Sequence, residues 1–182
     1  MGYRAFTAVA TLLLLASCEK IRYFSNVNVD MPYSKEFVSP AFDSGFHVPV
    51  EGMSYSLPIL AVATGSLASI NKMGLDTGQV IAIKLRSFSQ KVSSGHHCNF
   101  DFVDSLQVYI SAVGLPEILM TDQNSIPNDA DSISFHCSEQ NLKDYLLKDT
   151  VYLRLQGHFN GVPEPATFKT NFKFGTTARL LK

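Results

Sequence analysis

Apolar and polar residues alternate along most of this chain with a period of two, which is typical of half-buried β-strands. From Ile81 to Leu85, for example, an apolar side chain at every second position is separated from the next by Ala82 or Lys84. Segments with this alternation begin at Val27, Phe46, Ile81, Phe100, Leu106, Ile133, Val151 and Phe168. Because the segments are short and separated by turn-rich stretches, they predict a protein built mainly from antiparallel strands.

One segment has a helical pattern instead. Leu142, Tyr145 and Leu146 have the i, i+3, i+4 spacing that places three side chains on one face of a helix. Ser138 precedes them, and serine is a preferred N-cap residue. We therefore predict one short helix near residues 139–148.

Many short strands with one crossover helix favour a two-layer antiparallel β-sandwich, either Ig-like or jelly-roll-like. A closed β-barrel is the main alternative, because strands of both architectures show the same alternation. The sequence therefore predicts a mainly β fold and leaves the choice between sandwich and barrel to be settled by strand pairing.

The start of the chain has the features of an export signal. Arg4 precedes an apolar run from Ala5 to Leu14, which leads into Leu15-Ala16-Ser17-Cys18. This tetrapeptide resembles the lipobox of bacterial lipoproteins. Residues 5–17 are too short for a membrane-spanning helix, which needs about 20 residues. A plain secretory signal peptide remains the alternative.

The lipobox resemblance implies how the chain is divided. Residues 1–17 would be a lipoprotein signal peptide, residues 18–26 a lipidated tether and residues 27–182 a single β-sandwich domain. Cys18 would carry the acyl chains, palmitate among them, and stable anchoring takes at least two chains. The residue after the cysteine is Glu19 rather than the aspartate that marks inner-membrane lipoproteins. We therefore expect an outer-membrane lipoprotein of the cell envelope, either facing the periplasm or exposed at the surface.

The C-terminal half carries a second resemblance. A strand ending in Gly114-Leu115-Pro116-Glu117 is followed by Ile126-Pro127, by the helical segment from Asn141 to Lys148 and by a final pair of strands. This layout, from about Val80 to Leu181, looks like small envelope lipoproteins of Bacteroidota. The resemblance implies a β-sandwich-like domain and brings no catalytic residue with it.

The net charge of the chain narrows the classes of partner. The chain has 15 Lys and Arg and 16 Asp and Glu residues, for a net charge of −1, so no nucleic-acid partner is indicated.

The apolar stretch from Leu57 to Ile70 is unusual for a connection. We interpret it as a further core strand, with an exposed docking patch for a partner or a membrane as the alternative. The overlapping stretch from Leu60 to Asp76, which contains glycines, reads as a loop with a helical turn.

Two short segments combine cysteine with histidine. They are His96-His97-Cys98 and His136-Cys137. In an exported protein a pair of cysteines favours a disulfide, so Cys98 and Cys137 are the candidates for one. Two free thiols and a metal site built from these five residues are the alternatives. The metal site is disfavoured because adjacent residues of a strand point to opposite faces.

Motifs for catalysis are missing from the sequence. There is no Gly-x-Ser-x-Gly nucleophile motif, no phosphate-binding glycine loop and no dinucleotide fingerprint. The acidic and amide residues between Asp122 and Asp131 lack the spacing of an EF-hand and are typical of a solvated turn. Asp101 and Asp104, considered as paired acids, are expected on opposite sides of an extended segment.

These observations favour a lipid-anchored, non-enzymatic binding or assembly module, such as an accessory subunit of an outer-membrane complex. Its expected partners are the membrane, through the anchor, and an envelope protein or glycan, and no cofactor is expected. Two alternatives stay open. One is an envelope hydrolase with a site assembled from dispersed His, Ser and Asp residues, and the other is a metal-binding protein that uses the His/Cys clusters.

Overall fold

A computed structural model describes residues 26–38, 47–57, 59–94, 99–162 and 166–179 of the chain. The protein is mainly β, with two antiparallel sheets packed together and two short helices, so the predicted β-sandwich is confirmed. The strands are β1 (Asn26–Val38), β2 (Met53–Ser56), β3 (Leu60–Ala63), β4 (Val80–Ser94), β5 (Val103–Ala112), β6 (Leu115–Gln123), β7 (Ser132–Ser134), β8 (His136–Cys137), β9 (Thr150–Phe159) and β10 (Thr167–Arg179). The helices are α1 (Ser66–Lys72) and α2 (Lys143–Leu146).

The two sheets differ in how their strands are ordered. Sheet A has four strands in the order β1-β10-β4-β7. Sheet B has the order β2-β9-β5-β6-β8, and β3 pairs with β9 beside β2. β2 and β3 are two consecutive pieces of one sheet edge, because β2 pairs with residues 156–159 of β9 and β3 with residues 150–153. Between them, the Leu57 amide donates a hydrogen bond to the Leu155 carbonyl at 2.8 Å.

Side chains from the inner faces of both sheets fill the space between them. Ile83 on β4, Val108 and Ile110 on β5 and Met120 on β6 are each at most 2% exposed. Alternation along each strand sends every second side chain inward, which is why the sequence pattern marks these positions. Complete burial of one such side chain stabilises the fold by about 1.5–3 kcal/mol.

Two local predictions are wrong. The strand expected from Phe46 to Val50 is absent at Val48 and Val50, which lie in a loop and a turn, while Phe46 lies outside the described residues. The Gly52 amide closes that turn on the Pro49 carbonyl at 2.9 Å, and Gly52 has a φ of +77° that favours glycine. Residues 100–102 likewise form a bend and a turn before β5 begins.

The predicted helix near residues 139–148 is present but shorter, and it is not the single helix of the fold, because α1 precedes it. Ser138 does not cap α2, since its amide bonds to the Met120 carbonyl at 3.1 Å and its hydroxyl has no partner. Leu142 is the N-cap residue, and the Asn141 side chain before it accepts a hydrogen bond from the Lys143 amide at 3.1 Å. Asn141 also accepts one from the Ile83 amide of β4, also at 3.1 Å, and thereby ties the start of the helix to sheet A.

Candidate functional site: the edge cleft

The two sides of the sandwich are closed differently. On one side the chain passes from β7 in sheet A to β8 in sheet B through a single residue, Phe135. On the other side β1 ends sheet A, β2 and β3 end sheet B, and no described strand joins them. A cleft opens between the sheets on this second side. We call it the edge cleft, and its walls include Tyr33, Val62, Ile110, Met120, Leu153 and Phe172.

The edge cleft is small and mostly apolar. Its cavity has a volume of about 60 Å³. One buried water needs only about 10–15 Å³. The recess therefore has the size of one aliphatic or small aromatic group, and its walls favour such a group over water.

Aromatic rings from neighbouring strands form the sheet A wall of the edge cleft. Tyr33 and Phe172 are register partners on β1 and β10, so their side chains project from the same face. Their rings stack with centroids 5.2 Å apart, and Tyr33 meets Phe174 edge to face at 5.8 Å. Phe88 of β4 continues the row against Phe172 at 6.1 Å. This wall is a preformed apolar surface rather than a loose loop.

Two polar side chains line the edge cleft in different ways. The Thr64 hydroxyl donates to the Lys148 carbonyl at 2.7 Å, so its proton is already used. Lys35 is the charged side chain of the lining, and it forms none of the ion pairs found among the described residues. Within the described part of the chain, its ammonium group thus has no carboxylate partner, and a ligand with an acidic group would supply one.

The outer face of sheet B carries a polar cluster that satisfies itself. Arg154 of β9 donates two hydrogen bonds to the Glu117 carboxylate of β6, at 2.9 and 2.6 Å, and its guanidinium lies 4.2 Å from the centre of the Tyr109 ring. It also donates to Gln156 at 2.9 Å. The hydrogen bond to Arg154 lowers the pKa of Glu117, and the same bond raises the pKa of Arg154. Because Arg154 is committed to these partners, the cluster reads as a clamp between strands.

The predicted cysteine and histidine sites fall largely outside the described part of the chain. Cys18, His96, His97 and Cys98 all lie outside it. His136 and Cys137 occupy β8, where His136 is exposed and Cys137 is half-buried. Burial raises the pKa of the Cys137 thiol, which keeps it protonated at neutral pH. Within the described ranges no group of three or more His, Cys, Asp or Glu residues could hold a metal ion.

The Cys98–Cys137 disulfide stays a prediction. Phe100, two residues after Cys98, donates its amide to the Ala130 carbonyl at 2.9 Å. Ala130 lies seven residues before Cys137, and the segment between them is mostly extended. This described flank does not lie beside Cys137 and gives the bridge no support. In a non-reduced sample, mass spectrometry should find the bridged protein two hydrogens lighter, and alkylation of both thiols without reductant would exclude the bridge.

The acidic residues that the sequence singled out form hydrogen bonds at or near the ends of strands. Asp101 accepts a hydrogen bond from the Asp129 amide, and Asp104 accepts one from Asn160, both at 2.6 Å. Asp122 accepts one from Asn124, also at 2.6 Å. These bonds fix the connections at the ends of the strands, and those of Asp122 and Asp129 agree with the solvated turn expected between Asp122 and Asp131.

The apolar stretch from Leu57 to Ile70 matches neither of its two sequence interpretations completely. It contains the edge strand β3 and most of α1, with Ile70 fully buried but Leu60 54% exposed. Its Val62 lines the edge cleft. The sequence pattern does not indicate Tyr33 and Lys35, because Pro32 interrupts the alternation that begins at Val27.

The fold and the edge cleft together define a β-sandwich with one open side and an apolar recess there. Among the described residues no helix is long and apolar enough to cross a membrane. No protein family model, curated protein or solved structure matches the chain.

Proposed function

We propose that this protein is a lipid-anchored, non-enzymatic binding module of the bacterial cell envelope and that the edge cleft is its binding site. The anchor rests on the resemblance of Leu15-Ala16-Ser17-Cys18 to the lipobox. The binding role rests on the recess itself. A well-packed interior leaves few voids larger than a water molecule, whereas this apolar recess is larger and opens to solvent between two strand edges.

The binding role is tested with toluene as a small apolar probe and NMR as the readout. We expect saturable shifts of the methyl groups of Val62, Ile110 and Leu153, which line the cleft from three strands of sheet B. Val62→Phe fills the recess and should weaken toluene binding at least about tenfold, which corresponds to about 1.4 kcal/mol.

The matched control is Val113→Phe. Val113 is 73% exposed in the turn between β5 and β6, away from the cleft lining, so the same change adds the same bulk elsewhere. We expect its toluene affinity to equal that of the unmodified protein. Shifts that do not saturate, or an equal loss of affinity in both variants, would contradict the assignment of the binding site.

The anchor is tested separately by labelling cells with a palmitate analogue. Cys18 should carry the label and the protein should fractionate with the outer membrane, whereas Cys18→Ser should abolish the label and release the protein from membranes. Cys137→Ser is the control, because it removes a half-buried cysteine of the folded domain and should leave the label unchanged. A label that persists in Cys18→Ser would overturn the lipoprotein assignment.

A further inference from the structure

We infer that the edge cleft receives an extended peptide strand, which pairs with β1 after Pro32 along the edge that no described strand covers and inserts one apolar side chain into the recess. We call this edge the free edge of β1. This inference rests on the proposed function and specifies its ligand. Addition of a strand to a sheet edge is a general mode of peptide recognition, in which main-chain hydrogen bonds provide affinity and pockets for alternate side chains provide specificity.

Pro32 indicates which backbone groups of β1 are free. Proline has no amide proton, so within a sheet it lies on an edge strand with its nitrogen directed away from the neighbouring strand. The register of β1 on β10 is unbroken from Asn26 to Val38, and N–H and C=O groups of alternate residues face alternate sides. Even-numbered residues therefore direct their backbone groups to the free edge.

The backbone of β10 supports this assignment. The Arg179 amide bonds to the Gln79 carbonyl at 2.8 Å, on the side of β4. Odd-numbered residues of β10 thus face β4, and even-numbered ones face β1. Since each odd-numbered residue of β1 is paired with an even-numbered residue of β10, such as Tyr33 with Phe172, the odd-numbered residues of β1 form the shared ladder.

The free backbone groups lie next to the edge cleft only in the second half of β1. Tyr33 and Lys35 line the cleft, so the outward backbone groups of Ser34 and Glu36 are its immediate neighbours along the strand. Pro32 removes the donor that would extend pairing toward the start of β1. An incoming strand is thus directed to the residues after Pro32, where its inward side chains reach the recess.

Charge adds a second feature of the ligand. Lys35 lies at the cleft and forms none of the ion pairs found in the described part of the chain. An acidic side chain on the same face of the incoming strand, two residues from the apolar anchor, would pair with it. The inferred ligand is therefore an extended segment with an apolar and an acidic residue at alternate positions.

A second copy of this chain fits less well than a separate segment. If two copies paired through β1, the inward side chains of the second strand would be needed in its own core. Met31 is 6% exposed, and Tyr33 already packs on Phe172 and Phe174. A segment without a sandwich of its own has its side chains free to fill the recess.

The test uses a synthetic peptide, acetyl-Thr-Val-Thr-Leu-Thr-Asp-Thr-Val-Thr-amide, and amide hydrogen exchange read by NMR. We expect the peptide to slow exchange at Ser34 and Glu36, which direct their amides to the free edge. The control peptide has the same side chains but N-methyl groups on alternate residues, which remove the amide donors along one edge of the extended peptide. It should bind at least about tenfold more weakly.

Two proline variants locate the contact on β1. Ser34→Pro removes a free amide beside the cleft, and Asn28→Pro removes one on the other side of Pro32. The two variants are matched, because Ser34 and Asn28 each make one exposed side-chain hydrogen bond to β10, at 2.9 Å. We expect Ser34→Pro to weaken peptide binding about tenfold and Asn28→Pro to change it less than about twofold.

The outcomes separate this inference from the proposed function. Saturable toluene binding without peptide binding would overturn the strand inference and leave the edge cleft as a binding site. Failure of both probes would overturn both. Protection of Ser34 and Glu36 that rises with protein concentration and without peptide would show that a second copy occupies β1, which also overturns the inference.

Discussion

The two sides of the sandwich differ in whether a described segment of chain joins the two sheets. At the closed side, the segment from β7 to β8 belongs to both sheets, and Phe135 between them donates its amide to the Phe88 carbonyl at 2.9 Å. Ser138 then donates to the Met120 carbonyl at 3.1 Å. At the open side, β1 and β3 end their sheets and an apolar recess lies between them.

This difference shows at which side backbone hydrogen-bonding groups and apolar side chains lack a covering strand among the described residues. At the closed side, backbone groups and apolar side chains are satisfied together by one short segment of chain. At the open side, no described strand covers the outer edge of β1, and apolar side chains of both sheets line the recess in the same place. Free sheet edges invite unwanted pairing, and proline and charged residues are common protections. Pro32 provides such protection toward the start of β1, whereas the part of the edge after Pro32 is paired with no described strand.

The largest expected contrast is in the aromatic residues of the two sides. Phe135 is 8% exposed and meets Phe88 edge to face at 4.9 Å, so Phe135→Ala should lower the free energy of unfolding by about 3–5 kcal/mol. Tyr33 is half-buried against one wall of a recess, so Tyr33→Ala should cost only about 1–2 kcal/mol. Urea unfolding followed by circular dichroism measures both values. Equal losses would contradict the distinction between a closed and an open side.

The strands that form these sides were largely predictable, but their irregularities were not. Period-two alternation predicts Ile81 on the same face as Ile83, yet Ile81 is 41% exposed and Val80 is buried instead. The reason is a β-bulge, because Thr177 pairs with Ala82 while Ala178 pairs with Val80. A bulge adds one residue to one strand and reverses the facing of those beyond it.

A second bulge in β4 explains a buried amide that the sequence does not indicate. The register shifts between Lys173 and Phe174 of β10. This shift places the side chain of Phe88 on the inward face. Gln90, two residues later, therefore also points inward and is 3% exposed. Its side-chain amide donates to the Thr170 hydroxyl at 3.3 Å. Such a polar pair is stable inside the sandwich only because both partners reach each other.

The edge cleft could not be predicted from the sequence because it depends on which strands end the sheets. Tyr33 and Val62 belong to different sheets and line the same cleft only because β1 and β3 are both terminal strands on the same side. Alternation gives the inward face of a strand but not its neighbours. Strand order is fixed by pairing between distant parts of the chain, such as β1 with β10.

A matched pair of threonines tests the same contrast at smaller energies. Thr121 and Thr64 are both buried, and each donates its hydroxyl to a carbonyl at 2.7 Å, that of His136 at the closed side and that of Lys148 at the open side. Replacement of either by valine keeps the volume and removes one hydrogen bond, so each should cost about 0.5–1.5 kcal/mol.

The two threonine variants should differ in where the structure opens locally. Thr121→Val releases β8 from β6 and should speed amide exchange at Cys137. Thr64→Val loosens the end of β3 and should speed exchange at Val62. Hydrogen exchange by NMR resolves the two sites, and a change that spreads across both sides in either variant would show that they do not open independently.

The smallest expected effect concerns an ion pair on the outer face of sheet B. Because this face lies between the open and the closed side, the pair serves as a reference for both. The hydrogen bond from Arg154 lowers the pKa of Glu117 below its usual 4.5, so this pair stabilises the fold above that pH and loses its effect as the pH falls through the lowered value. Since Glu117 is 39% exposed, solvent screening limits the contribution to about 0.2–1 kcal/mol. Glu117→Gln should therefore have a lower Tm than the unmodified protein at pH 7. The difference in Tm between the two proteins should become smaller as the pH falls below 4.5. A difference in Tm that stays constant across this range would mean that the pair joins β6 to β9 by packing and hydrogen bonding alone, because a charge-dependent clamp must weaken when its carboxylate is protonated.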